Sequence, residues 1–298
     1  MKKLQLLNRA EIDVERWNDC IQKSPNGLIY GTTAYLDAVA KKWKGLVYGD
    51  YENVMPIPYT RFLWFSLIQQ PFFIQQLGVF GITIDENDFE IFFNRLMKNF
   101  DYCCLNLNYA NPYNWAKEKT NLIIPLSQAY ITLKKKYTKD LQRNLHFATR
   151  FDLKYKDSED AVKSLKLFKH LYHYRFKNIK SKYFKQEIEF LLLNPDKAIV
   201  REIYLKDELQ ASLLALKDDR RIYLLFSAVT SSGKKSKSNH VLIDQLIREF
   251  AGQNYILDFE GSEIPGVAYF YNNFGAVSQP YFELSWNNLP WWLKLVKK

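Results

Sequence analysis

The run YILDFEGSEIP places two carboxylates, Asp258 and Glu260, just past an apolar stretch, and Glu263, Tyr269 and Tyr271 follow closely. Such groups suit general acid–base work, a carboxylate taking a proton and a carboxylic acid or phenol giving one. Asp258 falls at the C-terminal end of a predicted strand, where open α/β sheets commonly meet their ligands, and Glu260 is placed to reach the same cleft. The structural alternative is that Asp258 caps a turn with Gly261 and that Tyr271 is a packed core aromatic. A Ser-His-Asp or Cys-His triad has no supporting motif, since no Gly-x-Ser-x-Gly occurs.

A second candidate is the polar stretch SSGKKSKSNH between RIYLLFSAV and VLIDQLIREF. Strand, Gly and Lys, then helix is how phosphate loops are built, because helix N-terminal N–H groups favour anions. With Gly233 alone it is not a Walker loop, which needs two glycines. The candidate donor-binding residues are Ser232, Gly233, Lys234, Lys235, Ser236, Lys237, Ser238 and Asn239. Among them Ser236, Ser238 and Asn239 offer short donors and a cap, while the lysines offer point charges. A solvated surface loop is the alternative.

A third candidate is KKKYTKDLQRNLHFATR, read as one helix. Tyr137, Leu141, Leu145 and Ala148 share a face, and Lys136, Lys139, Arg143, His146 and Arg150 follow on the opposite one. A cationic row of about 20 Å at 1.5 Å per residue could track several phosphates. RNA and an anionic membrane surface both fit, as does a merely solvated helix face. The formal net charge is +10, and residues 131–185 hold sixteen Lys or Arg against five Asp or Glu, so this segment carries the whole excess. That points to a polyanionic partner.

Metal and disulfide chemistry find no support. Cys20, Cys103 and Cys104 lack CxxC spacing, and His170-x-x-His173 has no completing ligands. MKKLQLLNRAEID is interrupted too early for a signal h-region, and RFLWFSLIQQPFFI is too short and broken to span a membrane. The cytoplasm is the expected location. The ending LPWWLKLVKK interleaves Trp291 and Trp292 with lysines; docking of this last turn against the body is favoured over a membrane contact.

The elements that must position these groups are legible from periodicity. Helices are predicted at 11–23 and 33–43. Strands follow in GLVYGDYENVMPIPYTRFLWFSLI, where Pro56 and Pro58 suggest an edge or irregular strand. DENDFEIFFNRLMKNF is an amphipathic helix with Phe89, Phe92, Phe93, Leu96 and Met97 inward, and YCCLNLNY is a strand. The second half repeats that order, with helices in YTKDLQRNLHFATR and DAVKSLKLFKHLYHYRFK. Strands AIVREIYL, LQASLLALKD and RRIYLLFSAV come next. The helix HVLIDQLIREFA, with Asp244 on its polar side, leads to strand YILDF. The expected fold class is α/β, two copies of one fold.

This order resembles the GNAT acyltransferase domain, and AYFYNNFGA resembles its closing motif through Tyr271 and Gly275, with Ala276 where the family usually has Phe. YTKDLQRNLHFATRFDLKY, LDFEGSEIPGVAYFYNNFGA and SPNGLIYGTTAYLDAV resemble segments of the FemAB group, aminoacyltransferases that build peptidoglycan bridges. The resemblance spans most of the chain and implies two tandem GNAT-like domains, each a mixed, mainly antiparallel sheet flanked by helices, at 1–125 and 126–298. It implies acyl or aminoacyl transfer to an amine. Tyr271 would protonate the leaving group, and Asp258 and Glu260 would complete the catalytic set. The donor would be an aminoacyl-tRNA or an acyl thioester such as acyl-CoA, with no tightly bound cofactor. The acceptor would lie between the domains, near Tyr30 and Tyr35. SSGKKSKSNH lacks the small residues of the family's coenzyme-A loop, and a lysine-studded loop suits a tRNA backbone better. The alternative function is a catalytically inactive GNAT-like module that binds nucleic acid or an anionic surface.

Overall fold

A computed structural model describes residues 3–82, 86–172, 181–260 and 263–294. His173, Gly261 and Leu295 to Lys298 lie outside the described residues, as does 173–180 of the basic segment. The chain forms two compact units, residues 1–119 with 280–298, and residues 120–279.

In chain order the first unit begins β1 (Leu4–Asn8), α1 (Val14–Lys23), α2 (Thr33–Val39), β2 (Trp43–Tyr48), β3 (Asn53–Phe62), β4 (Phe65–Gln69) and β5 (Phe80–Gly81). It continues with α3 (Glu86–Asn99), β6 (Tyr102–Leu107) and β7 (Lys117–Lys119). The second unit contains β8 (Leu122–Pro125), α4 (Tyr130–Lys134), α5 (Lys139–Ala148), β9 (Leu153–Ser158), α6 (Ala161–Tyr172) and α7 (Ser181–Leu193). Then come β10 (Ala198–Leu205), β11 (Glu208–Lys217), β12 (Arg221–Val229), α8 (Ser231–Lys235), α9 (Ser238–Phe250), β13 (Ile256–Asp258), α10 (Pro265–Asn272) and β14 (Val277–Ser278). The chain returns to the first unit for β15 (Tyr281–Asn287) and α11 (Trp291–Lys294).

The first sheet runs β1-β2-β3-β4-β6-β15-β7, with β5 against β3. The boundary expected at residue 125 therefore shifts at both edges. Residues 122–125 pair with β13 in the second sheet, and β15 pairs with β6 and β7 in the first. β3 is an interior strand, against the edge position that its prolines suggested. The Tyr59 N–H donates towards β2, at the Lys42 carbonyl. By alternation Pro56 and Pro58 turn their missing N–H the other way, where β4 pairs only from Tyr59 onward. The prolines thus stand where no ladder bond is lost.

Helix α3 buries Phe89, Phe92, Phe93 and Leu96, as its period predicts. Trp17 of α1 meets Trp43 at 5.3 Å and donates its indole N–H to the Gly31 carbonyl at 2.8 Å.

The second sheet runs β14-β8-β13-β12-β11-β10-β9, with helices on both faces. On β11 the alternation divides the core: Ala211, Leu213 and Ala215 join Leu242, Ile243, Leu246 and Ile247 of α9 in one buried cluster, while the hydroxyls of Ser212 and Ser164 of α6 meet at 2.8 Å. A bulge in β12 changes its facing. Leu214 pairs with Phe226 and Ala215 with Leu224, leaving Leu225 extra. Beyond it Phe226 turns to Phe168 of α6 at 4.6 Å. β12 and β13 are parallel and pair only over Arg221–Tyr223 and Ile256–Asp258, so the rest of β12 runs on without this neighbour. Among the described residues no helix is long and apolar enough to cross a membrane.

Candidate active site

The site is built where β13 ends beside the unpaired part of β12. Asp258 does not face a cleft. It is 1% exposed, and its Oδ2 accepts from the Arg221 guanidinium at 2.5 Å. Its Oδ1 accepts from Asn121 Nδ2 at 2.9 Å and from the Glu260 backbone N–H at 3.1 Å. A carboxylate so fully engaged and sealed with its cation has no free edge for substrate. Asp258 is thus enclosed, where the sequence led one to expect it facing the acceptor, and it holds the Glu260 backbone N–H.

Glu260 itself adopts φ +39°, a left-handed backbone that a glutamate rarely takes and that marks stored strain. The residue is half-buried overall, but its Oε1 is sealed from solvent. Burial pushes its carboxyl from 4.5 up to about 8, because desolvation penalises the charged form. Tyr271 of α10 is buried and stacks on Phe259 at 4.1 Å, 13° from parallel. Burial, then the neighbouring Tyr172 and Glu260, push its hydroxyl well above the ordinary phenol range. Tyr271 therefore keeps its proton near neutral pH. Glu260 lies close enough to Tyr271 to act on its hydroxyl electrostatically.

Gly275, four residues after Tyr271, has φ +73°. A Cβ there would meet the Lys136 Cβ at 2.5 Å. The glycine is thus required both by conformation and by close approach.

Sequence inspection missed two groups. His240, in the first turn of α9, meets Phe270 edge-on at 5.0 Å; burial and Lys237 lower it from 6.5 to about 4, so it is neutral near pH 7. Asp244, expected on the polar side of α9, is 6% exposed. Tyr130 of α4 donates its hydroxyl to it at 2.8 Å, the Tyr137 hydroxyl lies beside it, and burial raises its carboxyl. The reason is that α9 is covered on both sides, by the sheet and by α4 and α5. An aromatic layer, Tyr137 to Phe274 at 5.6 Å and Phe274 to Phe270 at 5.4 Å, joins Asp244 to the Tyr271 stack. Asp244 also lines a cleft of about 790 Å³ rimmed by Lys134, Lys135, His146 and Arg248.

The stretch 231–240 is not an open loop. It is the helical turn α8, capped by Thr230 through the Gly233 N–H at 2.9 Å, followed from Ser238 by the first turn of α9. Gly233 is buried, and a Cβ there would meet the Gln210 carbonyl oxygen at 2.3 Å; close packing, not a phosphate nest, explains this glycine. Ser236 and Ser238 are buried with their hydroxyls 2.8 Å apart, and Asn239 Oδ1 accepts from Ser227 Oγ at 2.7 Å. Ser236 and Ser238 thus bond each other and Asn239 bonds β12, where the sequence led one to expect ligand donors. Ser232, Lys234 and Lys235 remain exposed.

The basic row is also interrupted. α5 starts only at Lys139, behind the N-cap Thr138, so Lys136 precedes it and donates to Gln128 Oε1 at 3.0 Å. Arg143 pairs with Asp140 at 2.5 Å. The other four members of the row, Lys139, Arg143, His146 and Arg150, share an open hollow of about 860 Å³ with Lys237, which stands at φ +62° between α8 and α9. Tyr30 and Tyr35, the expected acceptor contacts, are 1% and 0% exposed and pack at 5.5 Å in the core of the first unit. The Tyr35 hydroxyl donates to the Phe73 carbonyl at 2.7 Å. They are packing residues. Among the described residues no group of three or more His, Cys, Asp or Glu could hold a metal ion.

No family profile matches the chain, and no curated protein matches it. Solved structures do. The crystal structure of FemX superposes over 99% of this chain and 100% of its own, with a TM-score of 0.65 and 11% identity. A conserved protein of unknown function from Bacteroides thetaiotaomicron covers 96% of this chain and 99% of its own, at a TM-score of 0.62 and 9% identity. A tandem GNAT protein from the clavulanic acid biosynthesis pathway covers 97% and 99%, at 0.56 and 9%. The fold is a FemX-like tandem GNAT fold.

Proposed function

We propose that this chain transfers an acyl or aminoacyl group to an amine, with Glu260 moving the proton and Tyr271 donating a hydrogen bond. One observation carries it: a strained glutamate with one carboxyl oxygen sealed from solvent and its carboxyl lifted to about 8, just past the point where β13 parts from β12. A proton-transfer group works best when its pKa lies near the operating pH.

The amine nitrogen attacks the carbonyl carbon, the π electrons move to oxygen, and the new C–N bond leaves an ammonium. Glu260, in its ionised fraction, takes that proton. The tetrahedral species collapses, the bond to the leaving oxygen or sulfur breaks, and the same proton returns to the leaving atom. Tyr271, which keeps its O–H, suits the oxyanion or the leaving atom.

The donor we favour is an aminoacyl-tRNA, its phosphates held by Lys139, Arg143, Arg150 and Lys237. Burial of the Ser236 and Ser238 hydroxyls and the close packing at Gly233 argue against a coenzyme-A pyrophosphate nest there. The experiment pairs binding with turnover: charged tRNA and acyl-CoA are each titrated against salt, and amide formation is followed with a panel of amines. Three or four phosphate contacts predict a slope of log K against log[salt] of roughly −2 to −4, reduced by Arg143→Glu with Arg150→Glu. Saturable acyl-CoA binding without tRNA binding replaces the donor. Binding of tRNA without any transfer replaces the enzyme with a binding module.

A further inference from the structure

The β3–β4 hairpin turns on Leu63 and Trp64, a two-residue loop between the paired Phe62 and Phe65. Such loops favour Asn, Asp or Gly because their central residues need positive φ. Here Leu63 stands at φ +56°. A large apolar side chain at a strained position, pointed into water, is unfavourable twice over for folding. Phe62, Leu63 and Trp64 are 50%, 58% and 74% exposed.

The tip is also rigidly based. Phe65 and Leu67 of β4 form a buried cluster with Leu289 and Leu293. Leu293 belongs to α11, whose Trp291 and Trp292 are 76% and 41% exposed. Two apolar segments far apart in sequence thus emerge from one cluster, with the exposed cations Arg61 and Lys294 beside them. Asp101, at the hairpin base, has its carboxylate on the Ser66 N–H at 2.8 Å.

We propose that the hairpin tip and α11 together dock the first unit on an anionic lipid bilayer, Trp64, Trp291 and Trp292 entering the interfacial zone. Two features favour lipid over a protein partner. Phe62, Leu63 and Trp64 are all exposed on a two-residue turn, so the apolar run projects as a narrow tip instead of lining one flat contact. A wedge of that form suits an isotropic apolar medium. The flanking Arg61 and Lys294 then meet anionic headgroups, and indole rings sit at the headgroup level where one edge is apolar and the other wet. This contact stands independently of the acyl-transfer reaction.

Flotation of the full chain with vesicles tests it, using phosphatidylcholine alone and phosphatidylcholine with about a third phosphatidylglycerol. The protein floats with the anionic vesicles and much less with the neutral ones. Trp64→Ser and the pair Trp291→Ser/Trp292→Ser each lower the partition coefficient roughly tenfold or more. Leu63→Gly lowers it too while leaving the melting temperature equal or higher, because it relieves the turn. Equal flotation of wild type and folded variants, or no flotation on anionic vesicles, overturns the proposal. If the wild type instead self-associates and only the Trp variants are monomeric, the patch is a protein contact and the proposal also fails.

Discussion

Replacing Glu260 by Gln should change how stability depends on pH. The carboxyl has a folded-state value of about 8 against 4.5 unfolded. A group whose folded value is raised contributes stability that is complete below its unfolded value and is lost as pH rises towards the folded one. From pH 5 to pH 8 the unfolded state gains the ionised form freely while the folded state resists it. Each tenfold difference in proton affinity between the two states corresponds to roughly 1.36 kcal/mol. The wild type should therefore lose about 3 to 4 kcal/mol over that range relative to Glu260→Gln, which has nothing to ionise. Urea melts of both proteins at pH 5, 6, 7 and 8 give the difference directly. It should be smallest at pH 5 and grow in favour of the variant by up to about 1.4 kcal/mol per pH unit, levelling near pH 8. Transfer activity should fall by two orders of magnitude or more in the same variant. Parallel stability curves would show that Glu260 is ionised at pH 7 and remove it as the proton carrier.

His240 carries the opposite sign: its lowered value of about 4 means stability complete above pH 6.5 and lost as pH falls towards 4, and its ring protons should show no NMR titration between pH 5.5 and 8. Gly233→Ala forces a Cβ onto the Gln210 carbonyl and should lower stability by about 1–3 kcal/mol in denaturant melts. Arg221→Ala strands the buried Asp258 and should cost about 3–5 kcal/mol. Asp258→Asn should lower turnover at saturating substrate by disturbing Glu260, with substrate affinity little changed.

Helices α3 and α9 are legible in the sequence because one face of each is continuously apolar, and the strand order β10-β11-β12 because hairpin breaks separate three apolar runs. The tandem fold follows from that repeated order. Asp244 is misplaced by a helical wheel because the wheel has one inside, whereas α9 has two. Tyr30 and Tyr35 carry groups that look chemical, but only the packing around them shows that they are sealed. Ser236 and Ser238 look like ligand donors because a sequence does not show that two hydroxyls two residues apart face each other. The hollow shared by Lys237 and α5 joins residues far apart in sequence, so composition tells of the charge but not of its partners. β15 is invisible for the same reason: its partners, β6 and β7, lie more than 150 residues earlier.

The insertion of β15 between β6 and β7 also sets an order of events during synthesis. Among the described residues strand β7 pairs only with β15, and its edge of the first sheet stays unfinished until residues 281–287 leave the ribosome. The second unit is continuous from 120 to 279 and can complete its sheet earlier, as domains generally fold as units during translation. The N-terminal unit is therefore the last to close. Until then β6 presents an open strand edge, and a nascent chain stalled or cleaved before residue 281 exposes it to holdase chaperones and proteases. Completion of the first sheet thus waits on residues 281–287.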